Sequence, residues 1–105
     1  MAVKGQLYTL GVWKTKAGKE DEFIEAWQSL ADWTSNSVPG AGLGTLLQHA
    51  DTPQRFVSFG PWDSSESAAE WRQQPEFIEF VAKARALCEE FEPQNMILVG
   101  QSGVE

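Results

Sequence analysis

Residues 6–23 are QLYTLGVWKTKAGKEDEF, and within them the sequence changes from one structural pattern to another. Gln6–Thr15 is rich in Leu, Tyr, Val, Thr and Trp, which favour strands, and it contains no helix start signal. Gly18 indicates a turn, and the acidic residues after it suit the positive end of a helix dipole. Apolar residues then recur at three- and four-residue steps, which predicts an amphipathic helix over Lys19–Thr34.

The next part of the chain predicts a hairpin followed by a second helix. Strands are expected at Leu43–His49 and Arg55–Trp62, and their short connection favours antiparallel pairing. Asp63 is the expected N-cap of a helix that runs through Trp71.

A restarted helix and a last strand complete the predicted order. Pro75 is expected to break the second helix and restart it, and apolar spacing extends the helix to Phe91. Pro93 is expected to end it, before a strand at Asn95–Val99 and a loose tail at Gln101–Glu105.

This order predicts an α+β fold of the ferredoxin-like βαββαβ type, with a four-stranded antiparallel sheet and the helices on one face. The 105 residues suit one domain, with a core at about residues 6–99. The strands are apolar on both sides, and an uncovered sheet face would leave an apolar patch in water. We therefore expect a homodimer formed by sheet-to-sheet packing. The alternation is clearest in the first strand, where Leu7, Thr9 and Trp13 alternate with Tyr8, Leu10 and Val12.

Composition excludes several classes of function. The net charge is −7, and the eight Lys and Arg residues are scattered, which argues against binding to nucleic acid or to an anionic membrane surface. Cys88 is the only cysteine, so no intrachain disulfide is possible, and no Cys/His group has zinc-ligand spacing. Neither a signal-peptide pattern nor an apolar run of about 20 residues occurs. The expected location is cytoplasmic.

A series of short motifs, in this order and spacing, resembles the antibiotic biosynthesis monooxygenase family. The resemblance covers about residues 6–99, nearly the whole chain. It is carried by the strand and Gly-Lys turn that lead into Phe23, by Pro39-Gly40, by Pro53-Gln54-Arg55-Phe56, by Trp62-Asp63-Ser64 and by Pro75-Glu76-Phe77.

The resemblance implies a dimeric α+β barrel in which each subunit holds a pocket between its sheet and its helices. Characterised members oxidise polycyclic hydroquinones and anthrones with O2, without metal or flavin. The expected function is therefore a cofactor-independent monooxygenase, with no cofactor or metal, acting on a small aromatic, quinol-like or polyketide-like molecule. The alternative is a non-catalytic dimeric barrel that binds an apolar small molecule, in a ligand-binding or stress-related role.

Haem-degrading relatives use an Asn, a Trp and a His, of which this chain keeps only Trp62. Gly11 and Val81 stand near the other two positions, which argues against haem degradation. In the anthrone-oxidising pattern, an Asn and a Tyr stand where this chain has Ser58 and Ala68.

In quinol-oxidising relatives, a His and a Glu stand where this chain has Trp71 and Gly60. The resemblance thus carries the fold and the pocket to this chain, but not the known catalytic set.

Trp62 and His49 are the candidate catalytic residues. Trp62 offers an indole N–H donor and a flat wall for a ring, or it merely plugs the end of the hairpin. His49 is the only side chain with an ordinary pKa near neutrality, and it acts as a base or is an exposed turn residue. Arg72 and Arg85 either stabilise a bound anion or lie on solvated helix faces. The expected pocket residues are Trp13, Trp33, Ser58, Phe59, Trp71, Phe77 and Val81.

Overall fold

The computed structural model describes residues 5–103. Its strands form one antiparallel sheet in the order β2-β3-β1-β4. Together with the three helices, this sheet confirms the predicted ferredoxin-like α+β fold. The elements are β1 at Leu7–Thr15, α1 at Glu20–Ser37, β2 at Thr45–Gln48, β3 at Arg55–Trp62, α2 at Ser65–Gln73, α3 at Pro75–Ala86 and β4 at Cys88–Ile97.

The hydrophobic core lies between the sheet and the helices. Trp13 of β1 and Phe56 of β3 project from the same face of the sheet, and Phe23 of α1 packs against both. The ring centroid of Phe23 lies 5.0 Å from that of Trp13 and 4.8 Å from that of Phe56, and Phe23 has no exposed surface. Ala84 brings α3 into the same cluster, because its small side chain allows close approach.

The prediction that the last helix runs to Phe91 is wrong: α3 ends at Ala86 and the chain enters β4. Basic residues in the last turn suit the negative end of the helix dipole, whereas Glu89 and Glu90 would oppose it if the helix continued. Pro93 lies inside β4 rather than before it, since an edge strand tolerates a missing N–H. Phe91 therefore belongs to a strand.

The predicted N-cap is wrong by one residue. Ser64 caps α2, and its Oγ accepts a hydrogen bond from the backbone N–H of Ser67 at 3.1 Å. Asp63 instead packs against Gly40, where a Cβ would lie 2.5 Å from its Oδ1 and where φ is +89°. Only glycine suits this position.

Other boundaries differ by a few residues. Helix α1 continues one turn beyond the predicted end at Thr34, whose hydroxyl donates to the carbonyl of Leu30. Strand β2 begins at Thr45 rather than Leu43, because the preceding chain first crosses the end of β3 through a hydrogen bond from Gly42 N–H to the Pro61 carbonyl. At the C-terminus, residues 101–103 form no helix or strand, and the rest of the expected tail lies outside the described residues.

The other face of the sheet has no helix from residues 5–103 packed on it. It presents a row of apolar side chains, among which Leu47 is 54% exposed and Met96 is 41% exposed. The other apolar residues on this face are Tyr8, Leu10, Val12, Val57 and Phe59.

No helix in the described part of the chain is both long and apolar enough to cross a membrane.

Candidate functional site

A cavity of about 250 Å³ lies between the sheet and the helices, beside the packed core. Its size is just below the range of about 300–1,000 Å³ that is usual for sites of drug-sized ligands, so it suits a small molecule. Most of its wall is aromatic or aliphatic. The larger side chains that line it are Trp13, Trp27, Trp62, Trp71, Phe77, Val81 and Phe91.

Glycines line the cavity where the sheet would otherwise fill it. A Cβ on Gly11 would lie 2.9 Å from Nε1 of Trp13 and 3.0 Å from Oγ of Ser58. A Cβ on Gly60 would lie 3.3 Å from the carbonyl oxygen of Leu43. The space above these strands therefore depends on the absence of side chains at both positions.

Three of the tryptophans donate their indole N–H to a hydroxyl group. Trp13 donates to Ser58 at 3.0 Å, and Trp62 donates to Thr9 at 3.0 Å. Trp71 donates to Thr34 at 2.9 Å. The N–H of Trp62 thus already has an acceptor in Thr9, and its donation to a ligand stays a prediction.

The three hydroxyl groups differ in whether they also donate a hydrogen bond. The Thr34 hydroxyl donates to the carbonyl of Leu30 at 2.8 Å, so this group is fully paired. Among residues 5–103, the hydroxyls of Thr9 and Ser58 accept an indole N–H and have no acceptor for their own hydrogen. Both residues line the cavity, and Ser58 is 9% exposed. They are the free neutral donors of the site.

Two tryptophans form a corner of the cavity. The ring centroids of Trp62 and Trp71 lie 4.9 Å apart, and Phe77 meets Trp71 edge-on at 4.5 Å. These contacts hold flat ring surfaces against one another at an angle, an arrangement that can receive a planar ligand by stacking or by edge contacts.

The described residues that line the cavity include one cation and one carboxylate, Arg72 and Asp32. Partial burial lowers the pKa of Arg72, which still stays protonated in water. Asp32 is exposed, and its carboxylate accepts a hydrogen bond from Gln28 at 2.9 Å. Within residues 5–103, no three His, Cys, Asp or Glu side chains come together as the ligands of a metal ion would.

Most of the predicted site residues come together at this cavity. Trp62 lines it, as do six of the seven expected pocket residues: Trp13, Ser58, Phe59, Trp71, Phe77 and Val81. The strand register directs the Phe59 side chain to the other face of the sheet, so Phe59 borders the cavity through its backbone. Trp33 instead packs 5.8 Å from Phe80 and lines a neighbouring hollow of about 170 Å³, which Trp71 separates from the main cavity.

His49 lies away from the cavity. It is exposed at the β2–β3 turn, and its Nδ1 accepts hydrogen bonds from the backbone N–H groups of Asp51 and Thr52, at 3.1 and 3.0 Å. These bonds stabilise the turn. A catalytic role for His49 stays a prediction, and the cavity geometry gives it no support.

The sequence interpretation missed several residues of the cavity. Thr9 was visible only as part of a strand, and nothing in its spacing indicated the bond with Trp62. Phe91 was assigned to a helix, although alternation along Phe91, Pro93 and Asn95 is consistent with one face of a strand. The sequence leaves Arg72 either as an anion-stabilising residue or on a solvated helix face, and only the packing of α2 on the sheet brings it to the cavity rim.

The fold and the cavity define a class of protein: a ferredoxin-like α+β domain with a small, aromatic-walled cavity between sheet and helices. The family model for antibiotic biosynthesis monooxygenases matches residues 7–83, most of the chain. This chain therefore belongs to the antibiotic biosynthesis monooxygenase family. Among curated proteins, none matches it in sequence.

Solved structures of similar fold include SnoaB, a cofactor-independent oxygenase from Streptomyces nogalater. The TM-score is 0.84 at 20% identity, over 92% of this chain and 96% of SnoaB. A candidate antibiotic biosynthesis monooxygenase from Nitrosomonas europaea gives 0.77 at 23% identity over 95% of each chain. One from Chloroflexus aurantiacus gives 0.76 at 23% identity, over 95% of this chain and 99% of the other. At these identities, the likeness shows the fold.

Proposed function

We propose that this protein is a cofactor-independent monooxygenase that oxidises a small aromatic, quinol-like or polyketide-like substrate with O2. The observation that carries the proposal is the tryptophan-lined cavity, in which two hydroxyl groups have a hydrogen free to donate. Family membership supports an oxidative activity, and the likeness to a cofactor-independent oxygenase supports chemistry without a bound redox group.

The substrate itself supplies the electrons in this reaction. An anthrone-type methylene loses a proton to form an electron-rich carbanion, which transfers electrons to O2 and forms a peroxide. Loss of water from the peroxide leaves a carbonyl, so that CH2 and O2 give C=O and H2O with no external reductant. The protein must hold the ring, stabilise the anion and exclude bulk water.

In this proposal, Thr9 and Ser58 stabilise the substrate oxyanion. Each hydroxyl accepts an indole N–H, from Trp62 and Trp13 respectively, which fixes its position and leaves its hydrogen free for the substrate oxygen. Donors that are held in place before the reaction stabilise developing charge at little reorganisation cost. Trp62 is then a wall and a positioning residue, whereas Ser58 stands where relatives carry an Asn.

The candidate proton acceptors are His49 and Asp32. His49 is the predicted base, yet it is exposed at a turn. Asp32 is the one carboxylate among the described lining residues, and its exposure leaves it accessible to solvent as a proton carrier. A His49→Ala variant that loses turnover would restore the predicted base. A loss confined to Asp32→Asn would assign the role to Asp32 instead.

The active form in this proposal is a cytoplasmic homodimer. The sheet face opposite the helices presents apolar side chains from all four strands, and a second copy packed sheet to sheet would remove them from water. Light scattering at micromolar concentration is expected to give a dimer mass. A Val57→Lys variant should shift it to monomer, while Glu92→Lys, at the edge of the same face, should change it less. A monomeric wild-type protein would contradict this part.

The proposed activity is tested by O2 consumption of purified, metal-free protein with a panel of hydroquinones and anthrones, after subtraction of autoxidation. Saturable uptake with one ring class is the expected result, and Trp62→Phe should raise KM or lower kcat for that class. A flat response across the panel, from a protein that is folded, would contradict the oxygenase proposal.

Binding without turnover is the second candidate function. The observation that favours it is that the described lining residues include neither a His nor a Tyr, and that Ser58 and Ala68 stand in positions that are Asn and Tyr in anthrone-oxidising relatives. The two functions differ in one measurement: aromatic ligands would quench the fluorescence of the cavity tryptophans in both, but O2 uptake occurs only in the first.

A further inference from the structure

Arg72 of α2 places a positive charge at the rim of the cavity, where two contacts hold it. Its Nη2 donates a hydrogen bond to Oδ1 of Asn95 in β4, at 2.7 Å. Its guanidinium carbon lies 5.9 Å from the ring centroid of Trp71, within the usual range of a cation–π contact. Arg72 is thus oriented by the helix and by the sheet at once.

No carboxylate neutralises this guanidinium within residues 5–103. The ion pairs there join Lys14 to Glu89 and Lys19 to Glu22. Asp32 lines the same cavity but makes no ion pair with Arg72. Arg72 is only partly buried, and Asn95 supplies a neutral acceptor, so a ligand can still provide the counter-charge. Although the chain carries a net charge of −7, no carboxylate among residues 5–103 lies within ion-pair distance of Arg72.

The remaining N–H groups of Arg72 are the feature that a ligand can use. A guanidinium carries five N–H donors in a planar fork, and Asn95 accepts from one of its nitrogens. The planar fork matches a carboxylate, which it binds through two parallel hydrogen bonds. The other residues at the cavity are mostly apolar, so one cation there suits a single negative charge better than a phosphate dianion.

We propose that Arg72 anchors a carboxylate on the ligand, so that the cavity selects aromatic carboxylic acids over neutral aromatics of the same shape. The ring then lies against Trp62 and Trp71, and the acidic group lies at the rim beside α2. This inference deepens the proposed function, since it concerns the same cavity, but it requires only binding and not turnover.

Arg85 provides a matched control. Its guanidinium carbon lies 5.6 Å from the ring centroid of Phe91, a cation–π contact much like that of Arg72. However, Arg85 is exposed on α3 and does not line the cavity. Arg85→Gln therefore removes a positive charge and a cation–π contact, as Arg72→Gln does, but it removes no side chain that lines the cavity.

The test uses 2-naphthoate and its neutral analogue 2-naphthamide, with binding followed by quenching of tryptophan fluorescence. We expect the wild-type protein to bind naphthoate more tightly than naphthamide. Arg72→Gln should weaken naphthoate binding by about tenfold or more, the loss expected for hydrogen bonds between charged groups, and should leave naphthamide unchanged. Arg85→Gln should leave both affinities unchanged.

Asn95→Ala is the second variant, in case Arg72→Gln fails to fold. It keeps the charge but removes the acceptor that orients the guanidinium, so it should weaken naphthoate binding less than Arg72→Gln and spare naphthamide. Equal wild-type affinities for the two probes, or no binding of either, would overturn the inference. So would equal losses for both probes in Arg72→Gln, or the same loss of naphthoate binding in Arg85→Gln.

Failure of this inference is distinguishable from failure of the proposed activity. Turnover of anthrones by a protein that binds naphthoate no more tightly than naphthamide would overturn the carboxylate anchor and leave the oxygenase standing. Selective naphthoate binding without O2 uptake by any aromatic acid would uphold the anchor and contradict the oxygenase.

Discussion

The layer between the sheet and the helices is packed at one end and hollow at the other. At the packed end, Phe23 and Phe56 fill the space completely. At the hollow end, Gly11 and Gly60 stand in the strands, and Trp62 and Trp71 contact each other at the side of the empty space. The same fold therefore supports a stable core and a binding cavity side by side, and the choice depends on which strand positions carry a side chain.

The two ends also differ in how polar groups are satisfied. At the packed end, the Thr15 hydroxyl donates to the backbone carbonyl of Gln54, at 3.5 Å. At the hollow end, Thr9 and Ser58 accept from indoles and retain a hydrogen that can be donated. Incomplete pairing around a cavity is what a ligand site requires, since the ligand then supplies the missing partner.

The largest expected effect is on stability at the packed end. Phe23→Ala should lower the free energy of unfolding by about 3–5 kcal/mol, because Phe23 is fully buried and the helices cannot close around the gap. The matched variant Phe77→Ala at the hollow end should cost clearly less, since Phe77 already borders empty space. Denaturant unfolding measures both, and equal losses would contradict the distinction between the two ends.

The second effect is on turnover at the hollow end. Ser58→Ala and Thr9→Val each remove a free donor, and each should lower kcat with an active substrate by about 10²-fold, as loss of an oxyanion donor does elsewhere. The free energy of unfolding of these two variants should fall less than that of Phe23→Ala. Stopped-flow O2 consumption is the measurement.

Thr34→Val is the control for these two variants. It also removes the hydroxyl acceptor of an indole, that of Trp71, but the Thr34 hydrogen already goes to Leu30. Its loss of kcat should therefore be much the smaller one. If all three variants lose turnover equally, the loss comes from the broken indole contacts, and the free hydroxyl donors do not contribute to turnover.

A third variant fills the hollow end. Gly11→Ala places a Cβ 2.9 Å from Nε1 of Trp13 and 3.0 Å from Oγ of Ser58, so it should disturb their hydrogen bond. Overpacking of this kind costs about 1–3 kcal/mol of stability. Gly100→Ala, which has no atoms within 4 Å of its Cβ, is the control. Unchanged thermal unfolding and ligand affinity in Gly11→Ala would show that the cavity does not depend on this glycine.

The smallest effect concerns Cys88, at the packed end. Burial raises the pKa of this thiol to about 11, while the nearby Lys16 lowers it. Little thiolate is then present at pH 8, so labelling with iodoacetamide should be slow in the folded protein and fast in guanidinium. Rapid labelling of the folded protein would contradict this burial.

The same shift predicts a pH dependence of stability. The thiol pKa is above its ordinary value of 9.0 in the folded state, so its contribution is fully present below pH 9 and is lost as the pH rises toward 11. Cys88→Ser should remove this decline, which denaturant unfolding at pH 8 and pH 11 would detect.

The fold was predictable because its signals are local. Alternation along Gln6–Thr15 and helical spacing after Lys19 both depend on neighbours in sequence. The end of α3 was not, because apolar spacing continues through Phe91, whereas the pairing of β4 with β1 depends on residues far away in the sequence. Most of the pocket residues could be named, since the family resemblance gives their positions.

The contacts that give the site its chemistry could not be predicted from the sequence. The bond between Trp62 and Thr9 joins residues 53 positions apart, and the bond between Arg72 and Asn95 joins residues 23 apart. Neither pair has a characteristic spacing, so both depend on the register of β1 with β3 and β4. His49 was attractive for its ordinary pKa alone, which says nothing about where the turn places it.

The most direct test of the central claim, that the hollow end is the site of an O2-dependent oxidation, is incubation with an anthrone under ¹⁸O2 followed by mass spectrometry. The account predicts a protein-dependent product that carries one ¹⁸O atom, with the other in water, and a loss of that product in Ser58→Ala. No protein-dependent product, or a product whose new oxygen comes from water, would contradict it.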